Sequence, residues 1–200
     1  VLGVVVGVVA AVNHGKWVDS VLMTISVFGI SAPAFWIAII LQIVICLKFN
    51  LLPLSGIDSF KSFILPGIAL GTRYAASIAR ITRTSMLDVL SQDYIRTAEA
   101  KGLKGWVVTI KHALRNALIP IITIAGSDLG NILTGSVLVE SVFSIPGIGK
   151  MLVDSINTRD LPIVQGGVMY IAVICVIMYL VVDLLYTVVD PRIRLGKESS

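Results

Sequence analysis

Charge is what this chain has least of. Only 14% of its 200 residues are Asp, Glu, Lys or Arg, where a soluble domain carries about 25%. Hydrophobic residues make up 56%, and the mean hydropathy is +0.93. Long uncharged runs separate the few charges, which excludes a soluble domain and points to an all-α integral membrane protein, a polytopic helical bundle. Histidine is almost absent: His14 and His112 stand far apart without ligand spacing, so the sequence offers no metal centre. Cys46 and Cys175 each sit alone in an apolar run and read as small apolar fillers rather than a disulfide or metal pair. The chain lacks HExxH, GxSxG and the Walker-type GxxxxGK[ST], and it carries no nucleophile and base at a useful spacing. Enzyme chemistry, including nucleotide hydrolysis by that route, is therefore not expected of it. Aromatic residues do not interleave with the bases behind the net charge of +4, which argues against nucleic acid as a partner. An initiating Met and a signal-peptide pattern are also missing, and Val1 begins inside an apolar segment. An N-terminal portion is expected to precede it.

What is present is a series of apolar spans. Residues 1–12 are too short to cross a bilayer core of about 30 Å and read as the end of a helix. Complete spans are expected at 20–47, kinked by Pro33, and at 63–90, 117–139 and 161–189. Gly3 with Gly7, Gly67 with Gly71 and Gly126 with Gly130 form three small-xxx-small pairs suited to close helix contact. Residues 48–62 have loop chemistry, and 140–160 read as a loop with a short helix. The whole is one transmembrane domain.

Charge inside the spans is sparse and informative. Arg73, Arg80 and Arg83 lie along the third segment, and Arg80 and Arg83 are placed to snorkel toward headgroups. Arg73 is deeper. An arginine near mid-membrane costs about 2.5–3.5 kcal/mol on insertion scales, so it should face protein or water. Asp128 interrupts the fourth span, and Asp183 lies near the end of the last. Arg73 and Asp128 admit two readings, a polar translocation pathway in which they pair, or charges that fix helix registry. Basic residues then orient the bundle. Lys16, Arg83, the cluster from Arg96 to Arg115 and the tail fall on one side, against Lys48, Lys61, Lys150 and Arg159 on the other. The first side is cytoplasmic and 140–160 is outside.

The longest polar interruption, residues 91–116, therefore faces the cytoplasm. Leu103, Val107, Ile110 and Leu114 recur through it as one helical stripe, with Tyr94, Thr97 and Ala98 as a shorter stripe before it. Gly102 is suited to end the first helix in a left-handed turn. The pattern fits two short helices offering a face to another protein, and it fits equally a connecting loop with helical character.

Here the residues resemble a known family. DYIRTAEAKGL followed by HALRNALIP is similar to the cytoplasmic EAA loop of permease subunits from binding-protein-dependent ABC importers, in the oligopeptide, dipeptide and nickel branch. RITRTSMLDVL before it, and ESVFSIPGIGKMLVDSINTRDLP and VVDLLYTVVDPRIRL after it, extend the resemblance over essentially the whole chain. Arg96, Thr97 and Ala98 occupy the E-A-A positions and Gly102 the glycine, while Glu99 stands where that branch carries a base. The resemblance implies a multi-pass subunit of a prokaryotic inner membrane that is not itself catalytic. It would pair with a second, similar permease and two ATPase subunits and be fed by an external solute-binding protein. ATP and Mg would be bound by the ATPases, with no cofactor in this chain. Tyr94, Arg96, Thr97, Ala98, Glu99, Ala100, Lys101, Gly102 and Leu103 would form the ATPase-coupling element, its small residues fitting a groove and Tyr94 and Leu103 anchoring its ends. The implied cargo is a di- or oligopeptide, with nickel or another metal chelate on the same scaffold as the alternative. A secondary transporter driven by an ion gradient is the competing class, for which Arg73 and Asp128 would serve.

Overall fold

A computed structural model describes residues 1–133 and 136–189, with side chains up to position 132 and from 136 to 184. The basic tail that helped orient the bundle lies outside the described residues. Those residues are mostly helical, with no strand among them and with their longest connection at 49–59. In order they form α1 (Leu2–Val12), α2 (Trp17–Ser31), α3 (Ala34–Leu41), α4 (Ile64–Leu90), α5 (Asp93–Ala100), α6 (Gly105–Val107), α7 (Arg115–Leu133), α8 (Val137–Val142), α9 (Ile148–Asn157) and α10 (Leu161–Val189). Wider π-helical turns at Gln42–Lys48 and Val108–Leu114 continue α3 and join α6 to α7.

Two uninterrupted helices among the described residues are long and apolar enough to cross a membrane, Gly105–Ile132 and Leu161–Leu184. At Pro33 the expected kink is a complete break. The flanking helices bend by 100°, because Pro33 supplies no N–H and drives the preceding residue out of the helical region. Pro33 itself is extended, at φ −61° and ψ 135°. The fourth span also differs from expectation. Its helix begins at Gly105 rather than 117, and a separate helix, α8, covers 137–142. Residues 140–160, expected to hold one short helix, hold α9 and also the end of α8.

The residues fall into two compact units. One comprises Val1–Val27, Ala75–Ser127 and 179–189; the other comprises Phe28–Tyr74 and the described residues of Asp128–Met178. In the first, α1 buries Gly3, Gly7, Ala10 and Ala11 as one face. A side chain at Gly3 would overlap the Ala75 carbonyl oxygen, and one at Gly7 would overlap the Ala79 carbonyl oxygen and Thr82. Glycine therefore sets how closely α1 lies on α4. Gly126 is used in the same way against Val182, whereas Gly67, Gly71 and Gly130 have open space where a Cβ would stand. In the second unit Ala38, Cys46, Leu65, Ala69, Val139 and Phe143 form the core. Gln42 donates from Nε2 to the carbonyls of Leu54 (2.8 Å) and Val142 (2.9 Å), tying the loop after α3 to α8.

The SIPGIGK turn has a local explanation. Glu140 Oε2 accepts the backbone N–H of Lys150 at 2.7 Å, placing a carboxylate on the first turn of α9. A negative charge is favoured there. Gly147 and Gly149 leave the room it needs, since a Cβ on Gly147 would meet the carboxyl group itself.

Candidate functional site

The polar centre is built from the first unit. α5 turns Ile95 and Ala98 inward, at 1% and 7% exposure. They join Met86 of α4, Ala11 of α1, and Val108, Ala113, Ala117 and Ile121 of the following helix in one core. Arg96, Thr97 and Ala100 lie on the opposite, exposed face, with Tyr94, Glu99, Lys101 and Leu103 also exposed. Ala98 is thus a packing residue of this chain, which corrects its expected place in a partner's groove. The reason is helical phase: Ile95 and Ala98, three apart, share a side. Arg96 lies 3.9 Å from Asp93, both exposed to solvent, a pair of little energetic weight.

Gly102 ends α5 as its residue type requires. At φ +73° it donates its N–H to Glu99 O at 2.9 Å, and Leu103 N–H reaches Ala98 O at 3.4 Å. These two bonds make a Schellman motif, which turns the chain sharply into the next helix. That helix does not bury the expected stripe. Leu103 and Ile110 are exposed, Val107 and Leu114 half-buried, and the inward line is Val108, Ala113, Ala117 and Ile121. The π-helical turn at Val108–Leu114 accounts for the change, since its extra residue per turn rotates the inward face away from a 3.6-residue phase.

An ion pair that the sequence reading missed braces the same unit. Asp19 is 4% exposed and accepts from Arg83 Nε at 2.5 Å and from Arg83 Nη2 at 2.7 Å. The Gly15 N–H donates to the same carboxylate at 3.2 Å, and His14 Nδ1 lies 3.2 Å away. Arg83 is therefore clasped by protein rather than snorkelling. Its guanidinium holds the Asp19 carboxyl well below the usual 3.8. A carboxylate with a lowered folded pKa stabilises fully above its unfolded value, and that contribution disappears only as pH falls through the folded value. The clasp is thus intact throughout pH 5–8. Asp19→Asn is expected to destabilise the detergent-solubilised protein by about 2 kcal/mol, equally at pH 5 and pH 8. Thermal melting at the two pH values checks it.

Arg73 and Asp128, the charges expected within the membrane, belong to the second unit. Arg73 and Asp128 form no ion pair within 4 Å; the salt bridges among the described residues join other groups. The expected pairing is therefore not present, although Asp128 is near enough to attract Arg73. One Asp128 oxygen, Oδ2, is buried without a hydrogen-bond partner. Arg73 instead lines a cavity of about 140 Å³ with Tyr74, Asn131 and Ser136, walled by Ala34, Leu70 and Ile132. Asn131 lies one helical turn beyond Asp128 on α7. No cluster of three or more His, Cys, Asp or Glu side chains suited to a metal occurs among the described residues.

Residues 3–195 match the family model described as "Binding-protein-dependent transport system inner membrane component". The chain is 45% identical over 194 residues to the glutathione transport system permease protein GsiC of Escherichia coli K12 and to that of Shigella dysenteriae serotype 1. It is 45% identical over 192 residues to the Salmonella choleraesuis protein. These alignments cover 97%, 97% and 96% of this chain, which spans 63% of the length of each relative.

Proposed function

Since the chain belongs to the family of inner-membrane components of binding-protein-dependent transport systems, we propose that it is the non-catalytic membrane subunit of an ATP-driven importer of peptides. It works with a second permease, two ATPase subunits that bind ATP and Mg, and an external solute-binding protein. The observation that carries this reading is the seating of α5. Its inner face is locked to α4 and α7 by Ile95 and Ala98, while Arg96, Thr97 and Ala100 stand clear of the chain. A short helix held so firmly transmits displacement instead of absorbing it. Closure of the ATPases on ATP would move α5 as a rigid body, and α4 and the helix from Gly105 would follow, opening the bundle to alternate sides. Arg73 and Asp128 line the route of the solute. The name carried by the similar permeases, glutathione transport, supports a peptide-like cargo over a metal chelate.

The competing class, an ion-gradient transporter, draws on the same membrane charges but leaves the exposed face of α5 without a task. Uptake separates the two. In energised cells, import is expected to stop when ATP is depleted and to persist when the proton gradient is collapsed with ATP maintained. The opposite pattern would refute the importer reading.

A further inference from the structure

We propose that the cavity around Arg73 recognises the carboxylate of the transported solute. The proposal rests on the reading of Arg73 as part of the pathway, and it assigns that residue a chemical selectivity. Arg73 lies about 14 Å along α4 from the first residue of the helix, at 1.5 Å per residue; the proposal takes α4 as a membrane segment, which sets Arg73 close to the middle of a hydrocarbon core of about 30 Å. A guanidinium at that depth needs an anion or water, and lipid phosphates are out of its reach. Among the described residues no carboxylate pairs with it within 4 Å. Among the described residues of the cavity lining, Arg73 is the one charged group, beside the neutral polar side chains of Tyr74, Asn131 and Ser136.

Such a set favours an anion with two oxygens in a plane. The guanidinium fork matches a carboxylate through two parallel hydrogen bonds. Hydroxyl and amide groups beside it can both donate and accept, which suits the neighbouring amide of a peptide. Size narrows the occupant further. A cavity of about 140 Å³ is near the roughly 150 Å³ that holds a benzene ring. It takes the terminal group of a peptide, not the whole molecule. Asp128 stands outside this lining and beyond ion-pair distance of Arg73, so it does not occupy the place of the solute's carboxylate. The solute class is thus a peptide-like molecule presenting one free carboxylate to α4.

The test uses the complete transporter in proteoliposomes, with its binding protein outside and ATP supplied to the ATPases. The probes are trialanine and trialanine amide, carried by the wild type, Arg73→Gln and Arg73→Lys. Loss of a charged hydrogen bond corresponds to about tenfold or more. Arg73→Gln is therefore expected to lower trialanine uptake about tenfold while changing amide uptake less than about twofold, and Arg73→Lys to keep most of the preference for the acid. The binding protein's own preference is common to all three and cancels when their acid-to-amide ratios are compared. Removing a guanidinium eases membrane insertion, so the amount of assembled complex should not fall. An unchanged ratio in Arg73→Gln would overturn the carboxylate proposal and leave the pathway reading standing. A wild type that carries neither probe would instead overturn the peptide reading, and this proposal with it. Labelling of Arg73→Cys by a small water-soluble thiol reagent is expected during turnover; its absence would remove Arg73 from the pathway.

Discussion

Thr97→Trp is expected to cut solute-stimulated ATP hydrolysis by the assembled transporter about 30-fold or more, the equivalent of losing one interface hot spot. The permease itself should still fold and reach the membrane. Thr97 is exposed on the outer face of α5, so an indole there meets solvent in the isolated chain and obstructs only a partner lying against that face. The neighbouring change separates docking from folding. Ala98 is 7% exposed and packs with Met86, Val108 and Ala113, and a tryptophan cannot enter that core without displacing it. Ala98→Trp is therefore expected to reduce the amount of folded permease, whereas Thr97→Trp reduces activity per folded molecule. Hydrolysis normalised to permease recovered by size-exclusion chromatography measures both. Equal loss of folded protein in the two variants would contradict the assigned faces of α5.

The second large effect concerns α1. Gly7→Val is expected to destabilise the chain by about 3 kcal/mol, enough to deplete it from the membrane. The obstruction is a backbone atom: the added Cβ would lie 2.5 Å from both the Ala79 carbonyl oxygen and the Thr82 Cβ. A flexible side chain could rotate away, but a helix carbonyl cannot, so α1 would have to separate from α4. Gly67→Val offers the contrast, because nothing stands within 4 Å of its Cβ position. It is expected to leave the melting temperature of the isolated permease within about 2 °C, the scale of a surface change.

These contrasts mark where the sequence was informative. Gly102 could be read directly, since a helix end requires a residue that tolerates positive φ and the signal is local. The break at Pro33 was legible in place but not in degree, because a bend of 100° depends on how the flanking helices pack. Glycine spacing did not distinguish Gly3 and Gly7 from Gly67 and Gly71. The pattern shows where a helix could be approached closely, and only the neighbouring element decides whether it is. The inward stripe was misread at Leu103 and Ile110 because a π-helical turn shifts phase without a marker in composition. The Asp19–Arg83 clasp joins residues 64 apart and has no periodic signature. Its available clue was two opposite charges near the same end of two spans. Ala98 shows the same limit more sharply, since a small residue in a polar segment serves a partner's groove and a tight internal contact equally well.

The central claim is that the exposed face of α5 rests against an ATPase subunit, and cross-linking from Thr97 tests it most directly. Thr97→Cys would be treated with a short bifunctional maleimide in the intact transporter, with the parent chain carrying only Cys46 and Cys175 as control. A covalent adduct of permease and ATPase, dependent on the new cysteine and altered in yield by ATP, is the expected result. An adduct-free permease in a complex that still hydrolyses ATP in response to solute would contradict it.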